Sequence, residues 1–131
     1  MLEVSVSIIK NKLGEYYIHK RSSEKRLYPN LYGIGAGGKV DIGESPLQAA
    51  KRELYEELGV KCSLEFLFDM NYEDEINIHL FIGETEEIGK VCEREFTWHG
   101  WVTDKIIDEL ISEDKLCPDS AMFWKRYKEE F

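Results

Sequence analysis

Residues 37–60 read GGKVDIGESPLQAAKRELYEELGV, and this stretch decides the fold of the chain. It fits the pattern G-x5-E-x7-R-E-U-x-E-E-x-G-U, in which U is an aliphatic residue and x is any residue. The defined positions are Gly38, Glu44, Arg52, Glu53, Leu54, Glu56, Glu57, Gly59 and Val60. A lone glycine-rich loop or a lone acidic helix is weak evidence of function, whereas a pattern with this many defined positions is specific.

The second half of the stretch predicts a helix. Ser45 is placed to cap its start, Pro46 takes the first helical position, and Gln48 completes a capping box. Gly59 is the natural residue just past its end. Residues three and four apart share one face of a helix, so the chain has an apolar stripe for core packing. That stripe consists of Leu47, Ala50, Leu54 and Leu58.

Three carboxylates fall together on the neighbouring stripe of the predicted helix: Glu53, Glu56 and Glu57. Like charges four residues apart repel each other by about 0.2–0.5 kcal/mol. Grouped carboxylate oxygens are the ligands that Mg²⁺ and Mn²⁺ prefer. A solvated acidic face is the usual explanation of such a group in an isolated helix, but the complete pattern favours a metal site.

The complete pattern from Gly38 to Val60 resembles the Nudix box, and the chain is identified as a member of the Nudix hydrolase superfamily. The resemblance implies an Mg²⁺- or Mn²⁺-dependent hydrolase. In that reaction, metal-activated water attacks a diphosphate that links a nucleoside to another moiety X. The resemblance also implies that Glu53, Glu56 and Glu57 bind the metal, that Glu53 or a carboxylate outside the box is the base, and that catalysis involves Glu44, Arg52, Glu53 and Glu57.

Two further metal ligands are predicted from position. Gly35, Gly37 and Gly38 predict a turn before the helix, and such a turn could direct a carbonyl, that of Gly37 or Gly38, towards the metal. A simple bulge or turn is the alternative. Members of the family often use one carboxylate from outside the box, and Glu95 is the first candidate, followed by Glu93 and Glu84.

The basic residues of this acidic chain concentrate near residue 20. His19, Lys20 and Arg21 end a predicted strand, and Lys25 and Arg26 follow. We predict that Arg21 and Lys20 contact substrate phosphates, together with Lys39 beside the glycines. A solvated strand end and an exposed surface lysine are the alternatives.

Alternating apolar residues predict strands on both sides of the helix. Before it, a strand through residues 2–8 pairs as a hairpin with residues 15–21, and a short strand covers residues 31–36. After it, residues 64–70, 76–82 and 95–102 form three more strands. Helices then begin near Thr103 and Pro118. This order predicts an α/β chain with a mixed β-sheet, and the resemblance implies an α/β/α sandwich formed by one domain over residues 1–131.

Composition limits the class of protein. Hydrophobic residues make up 43% of the chain and charged residues 33%, as in ordinary globular domains. The net charge of −9 argues against nucleic acid as a partner. No apolar run approaches the ~18 residues of a membrane span, and the three scattered cysteines suggest reduced thiols, so a cytoplasmic protein without a membrane partner is expected. Members of the family often form dimers, but the sequence does not decide between monomer and homodimer.

Two other functions remain open at this point. Residues 28–44 are also similar to the branch of the superfamily that contains isopentenyl-diphosphate isomerases. Those isomerases rely on a cysteine just before the box, where this chain has Gly35, Ala36, Gly37 and Gly38. A non-catalytic module that binds or senses a nucleotide is the second alternative, although such modules are expected to lose box acids and this chain keeps all of them. Nothing in the box identifies X.

Overall fold

A computed structural model describes residues 1–91, 94 and 96–131 of the chain. These residues form seven strands and three helices. The strands are β1 (Leu2–Lys10), β2 (Tyr16–Arg21), β3 (Tyr32–Ile34), β4 (Ala36–Lys39), β5 (Leu64–Tyr72), β6 (Ile76–Glu84) and β7 (Phe96–Val102). The helices are α1 (Pro46–Leu58), α2 (Asp104–Ser112) and α3 (Pro118–Glu130).

Strand β1 is the centre of a mixed sheet. It runs parallel to β6 along its whole length, and β5 continues the sheet as an antiparallel neighbour of β6. On the other edge of β1, residues 4–7 pair antiparallel with β4, and Lys10 meets Tyr16 of β2 at the hairpin end. Strand β2 in turn pairs with β3 and β7. The predicted hairpin and the predicted mixed sheet are therefore confirmed.

Gly35 is the point where the chain changes from one ladder to another. The sequence predicted one strand over residues 31–36 and then a glycine-rich turn, and this prediction was wrong. The structure has β3 on β2 and β4 on β1, with Gly35 between them at φ +67°. A Cβ atom at Gly35 would lie 1.8 Å from the carbonyl oxygen of Ser7. The switch therefore needs glycine for its backbone conformation and for its close packing on β1.

The sheet has a core on each face. Alternate residues of a strand point to opposite faces, so Ile8 packs under α2 and α3 while Ile9 packs under α1. The face under α2 and α3 is completed by the large buried side chains Ile107, Phe123, Trp124 and Tyr127. The face under α1 buries Leu54, Leu58, Tyr17 and Phe96. This is the expected α/β/α sandwich.

Two details of the packing differ from the expectation. Leu47 is 38% exposed, and Ala49 is buried on α1 with Ala50, Leu54 and Leu58. Strand β5 contains a register shift between Phe66 and Phe68. A bulge of this kind breaks the alternation of side chains, so Phe66 is 57% exposed although Phe68 lies in the core.

The described residues include two of the three cysteines of the chain. Cys62 and Cys117 are free cysteines, and Cys92 lies outside the described part of the chain. Among the described residues, no helix has the length and apolar character needed to cross a bilayer.

A histidine joins three strands at the edge of the α1 face. His79 Nε2 lies 2.8 Å from Glu3 Oε1, and His79 Nδ1 lies 2.6 Å from Asp69 Oδ1. Burial opposes charge on the imidazole, but the hydrogen bonds to the two carboxylates outweigh it and raise the pKa of His79. The charged ring therefore connects β1, β5 and β6.

We expect the stability of the protein to depend on pH through His79. The pKa of His79 is higher in the folded than in the unfolded protein, where it is about 6.5. The stabilisation that the charged ring provides is therefore complete below the unfolded-state pKa and is lost as the pH rises through the folded-state pKa. The Tm difference between wild type and His79→Gln should therefore be a few degrees at about pH 6 and smaller at about pH 9. Equal differences at both pH values would contradict this account.

Candidate active site

Helix α1 has the local structure that its sequence predicts. Ser45 Oγ accepts a hydrogen bond from the Gln48 N–H at 3.1 Å, and Gln48 Oε1 accepts one from the Ser45 N–H at 2.8 Å. Gly59 ends the helix at φ +64°. Ser5 Oγ of β1 donates to the carbonyl of Pro46 at 2.7 Å, which fastens the start of the helix to the sheet. These contacts set which face of α1 is turned to β4.

Glu57 contacts the backbone of β4 directly. Its Oε2 accepts a hydrogen bond from the Gly37 N–H at 2.9 Å. A Cβ atom at Gly37 would lie 2.6 Å from the Ser5 carbonyl oxygen, so β4 can lie this close to β1 only with glycine there. The contact holds one box carboxylate in a defined position beside the strand.

Glu53 lies over the next residue of the same strand. A Cβ atom at Gly38 would lie 2.4–2.7 Å from the three carboxyl atoms of Glu53. Neither Gly37 nor Gly38 has a positive φ, since both belong to β4. The sequence interpretation of these two glycines as turn residues was therefore wrong: they give the carboxylates of α1 access to the strand.

Arg52 connects the acids of the stretch. Its Nε lies 2.6 Å from Glu44 Oε2 and its Nη2 lies 3.0 Å from Glu44 Oε1, which is a bidentate pair. Its Nη1 lies 2.8 Å from Glu53 Oε1 and 3.3 Å from Glu56 Oε2. The hydrogen bonds from Arg52, followed by the Asp41 N–H, lower the pKa of Glu44 to about 2. Arg52 thus orients the loop acid and the helix acids relative to one another.

The described residues do not contain three acidic, histidine or cysteine side chains already arranged around one point for a metal ion. Glu53 and Glu57 both lie against β4, whereas Glu56 is turned towards Arg52 with a side chain that is 56% exposed. Glu95 and Glu93, two candidates for an outside ligand, lie outside the described residues. Glu84 is the last residue of β6. It lies on the same face of the strand as Ile78, Leu80 and Ile82, which is the face away from α1.

Glu57 and Gly37 line a cavity of about 160 Å³. Arg21 of β2 lines it, with Nε donating to the Leu27 carbonyl at 2.9 Å. Lys20 instead lies 5.7 Å above the ring of Tyr32, and neither Lys20 nor Lys39 belongs to the described lining. Of the three predicted substrate contacts, the structure therefore brings Arg21 to the box acids.

The cavity also contains titratable residues that sequence reasoning missed. Asp119, at the start of α3, lines it, and burial raises the pKa of this carboxyl. His19 was counted among the basic residues, but burial lowers its pKa to about 4, so it is neutral at physiological pH. The sequence does not predict either role. Asp119 is typical of an acid in a first helical turn, and His19 is typical of a strand residue.

The chain is similar to known proteins in sequence and in fold. Residues 1–118 match the family profile described as NUDIX domain. The 8-oxo-dGTP diphosphatase of Haemophilus influenzae is 34% identical over 111 residues, covering 82% of this chain and 80% of the relative. The isopentenyl-diphosphate Delta-isomerase of Pectobacterium atrosepticum is 26% identical over 123 residues, covering 87% and 66%. The crystal structure of DR0079 from Deinococcus radiodurans superposes with a TM-score of 0.85 at 22% identity, covering 95% of this chain and 82% of that one.

Proposed function

The chain belongs to the Nudix hydrolase family, and on that premise we propose that it cleaves a diphosphate linkage in a nucleotide with the help of Mg²⁺ or Mn²⁺. One observation carries the proposal: the box acid Glu57 and the cation Arg21 line the same cavity. An anionic diphosphate in this cavity would meet the positive charge of Arg21 and a box carboxylate that can bind a metal ion.

The residues present fit a divalent cation. Glu53, Glu56 and Glu57 supply hard carboxylate oxygens from one helix, and the carbonyl of Gly37 is the proposed main-chain ligand. Two of these carboxylates already lie against β4, and Glu56 would join them by turning away from Arg52. When bound, such a cation neutralises charge on phosphate oxygens and lowers the pKa of water.

The side chains of this chain supply positioning and proton transfer. Arg21 is assigned to the phosphate oxygens, because a guanidinium forms strong charge-assisted hydrogen bonds with them. Glu53 is assigned as the base that takes the proton of the attacking water. Arg52 and Glu44 hold the Glu53 carboxylate in place, since Arg52 Nη1 reaches Glu53 while its other edge is fixed on Glu44. Positioning and charge compensation are the main requirements of phosphoryl transfer.

The proposed substrate is a purine nucleoside triphosphate, with 8-oxo-dGTP as first candidate. The relative from Haemophilus influenzae is named for that compound and shares 34% of the aligned residues. Asp119 and Ser120 also line the cavity, where a base with N–H groups would find acceptors. In the proposed reaction water adds to a phosphorus, one anhydride bond breaks, and the products are a nucleoside monophosphate and pyrophosphate.

The isomerase relative supports a second candidate, but the site argues against it. The isomerase resemblance requires a cysteine just before the box, and the structure has the glycines of β4 there. Cys117 does line the cavity from the start of α3, but burial raises its pKa to about 12, which keeps the thiol protonated. A thiol of this kind is a poor acid or base near neutral pH.

Turnover with a panel of diphosphates tests the proposal. The purified protein is incubated with Mg²⁺ or Mn²⁺ and 8-oxo-dGTP, dGTP, ATP, ADP-ribose or isopentenyl diphosphate. We expect metal-dependent release of a nucleoside monophosphate and pyrophosphate from a triphosphate. Isomerisation of isopentenyl diphosphate without hydrolysis of any nucleotide would favour the isomerase, and metal binding without turnover would favour a binding module.

A further inference from the structure

His19 is a buried titratable side chain in the described lining of the cavity. It is 8% exposed, and its ring packs against that of Phe96 with centroids 4.1 Å apart and planes tilted by 30°. It shares the cavity wall with Arg21 and Glu57. A polar ring in this position either has a structural partner for each nitrogen or presents a nitrogen to the ligand.

One nitrogen of His19 has such a partner. Nδ1 lies 3.0 Å from the carbonyl oxygen of Gly35, and because a carbonyl oxygen only accepts, Nδ1 must carry a hydrogen. The carbonyl is held in place, since Gly35 is the switch between β3 and β4 and packs against the Ser7 carbonyl. Burial, assisted by the charge of Arg21, lowers the pKa of His19 to about 4. At neutral pH, Nε2 therefore has a free lone pair.

The other nitrogen is open to the cavity. No described residue forms a hydrogen bond with His19 Nε2. Among the described residues, Ser7 Oγ is the side-chain polar atom that is fully buried and has no hydrogen-bond partner. Nε2 also has no partner but does not belong to this class, so it is not fully buried. A Cβ atom at Gly33 would lie 2.7 Å from Nε2, and only glycine leaves that edge of the ring uncovered.

We propose that His19 is a specificity-determining residue whose Nε2 accepts a hydrogen bond from the substrate base. The cavity then favours a base that presents an N–H at this point over one that presents a lone pair. 8-Oxoguanine and guanine differ in this way, because oxidation converts N7 from an acceptor into an N–H donor. This inference rests on the proposed function, and it adds a residue that selects between two triphosphates.

The ratio of kcat/KM for 8-oxo-dGTP to that for dGTP tests the proposal. His19→Asn places an amide near Nδ1, where it can still donate to Gly35, and leaves nothing at Nε2. His19→Gln is the matched control, because its amide oxygen can take the position of Nε2. We expect the ratio to fall by about 10- to 100-fold in His19→Asn, the scale of an unpaired donor, and to change by only a few-fold in His19→Gln. An unchanged ratio in a folded His19→Asn protein would overturn the proposal.

Nitrogen NMR of the histidine-labelled wild type gives a readout that does not depend on a variant folding. The proposal expects Nε2 without a proton, and a shift of its resonance on addition of 8-oxo-dGMP that exceeds the shift with dGMP. A protonated Nε2, or equal responses to both nucleotides, would overturn it. If wild type hydrolyses no nucleotide of the panel, the proposed function fails. Hydrolysis of ATP or ADP-ribose alone, or of both guanine triphosphates with a ratio that does not depend on His19, refutes this inference alone.

Discussion

Glu57→Gln is expected to lower turnover by at least about 10²-fold, which is the scale for loss of one transition-state charge contact in a preorganised site. Glu57 lines the same cavity as Arg21, and its Oε2 accepts a hydrogen bond from the Gly37 N–H at 2.9 Å. The amide keeps the size and shape of the side chain but loses the negative charge that a divalent cation requires. Initial rates with a nucleoside triphosphate and Mg²⁺ measure the effect.

Two measurements separate lost chemistry from lost structure. The Tm without metal should be nearly unchanged, because the amide oxygen can still accept from Gly37. Mg²⁺ should raise the Tm of wild type by mass action, and should raise that of Glu57→Gln less. Glu109→Gln, an exposed acid on α2 across the sheet, is the matched control and should keep wild-type turnover. Wild-type turnover in Glu57→Gln would show that Glu57 does not bind the catalytic metal.

Features that depend on neighbours in sequence could be predicted well. The capping box of Ser45 and Gln48 and the glycine stop at Gly59 were all predicted, because each depends on residues within one helical turn. The succession of strands along the chain followed from periodicity, and the sandwich was implied by the family resemblance. The common face of Glu53 and Glu57 likewise followed from helical geometry.

Features that depend on contacts between distant segments could not be predicted. The glycines of β4 were interpreted from their conformational freedom, whereas Gly37 and Gly38 are required by the backbone of β1 and by a carboxylate of α1. The role of His19 depends on Gly35, sixteen residues away, whose carbonyl fixes the tautomer. Asp119 reaches the cavity only because α3 begins beside β3. Sequence spacing contains none of these distances.

The basic residues near residue 20 are another feature whose role the sequence could not predict. Arg21 and Lys20 are adjacent in sequence and looked equivalent, but adjacent residues of a strand point to opposite faces. Arg21 therefore lines the cavity and Lys20 lies over Tyr32. The alternation was available from the sequence, but the face that carries the candidate site was not.

Gly38→Ala is expected to lower turnover by about 10²-fold, because misplacement of a catalytic group by about 1 Å has an effect of that size. The added Cβ would lie 2.4 Å from the carboxyl carbon of Glu53 and 2.5 Å from its Oε1. The carboxyl group is the far end of a flexible side chain, so it can move away and the fold can persist. Its displacement would also lengthen the 2.8 Å contact between Glu53 Oε1 and Arg52. Turnover and Tm are both measured.

Gly14→Ala is the matched control with the opposite expected outcome. Gly14 has φ +77° in the β1–β2 turn, and nothing lies within 4 Å of its added Cβ. The left-handed conformation costs about 1–2 kcal/mol for alanine, so the Tm should fall while turnover at low temperature stays near wild type. Gly38→Ala should give the reverse, because Gly38 has an ordinary strand conformation. If Gly38→Ala retained wild-type turnover, the approach of Glu53 to β4 would not be needed for catalysis, and the assignment of Glu53 as the base would have to be abandoned.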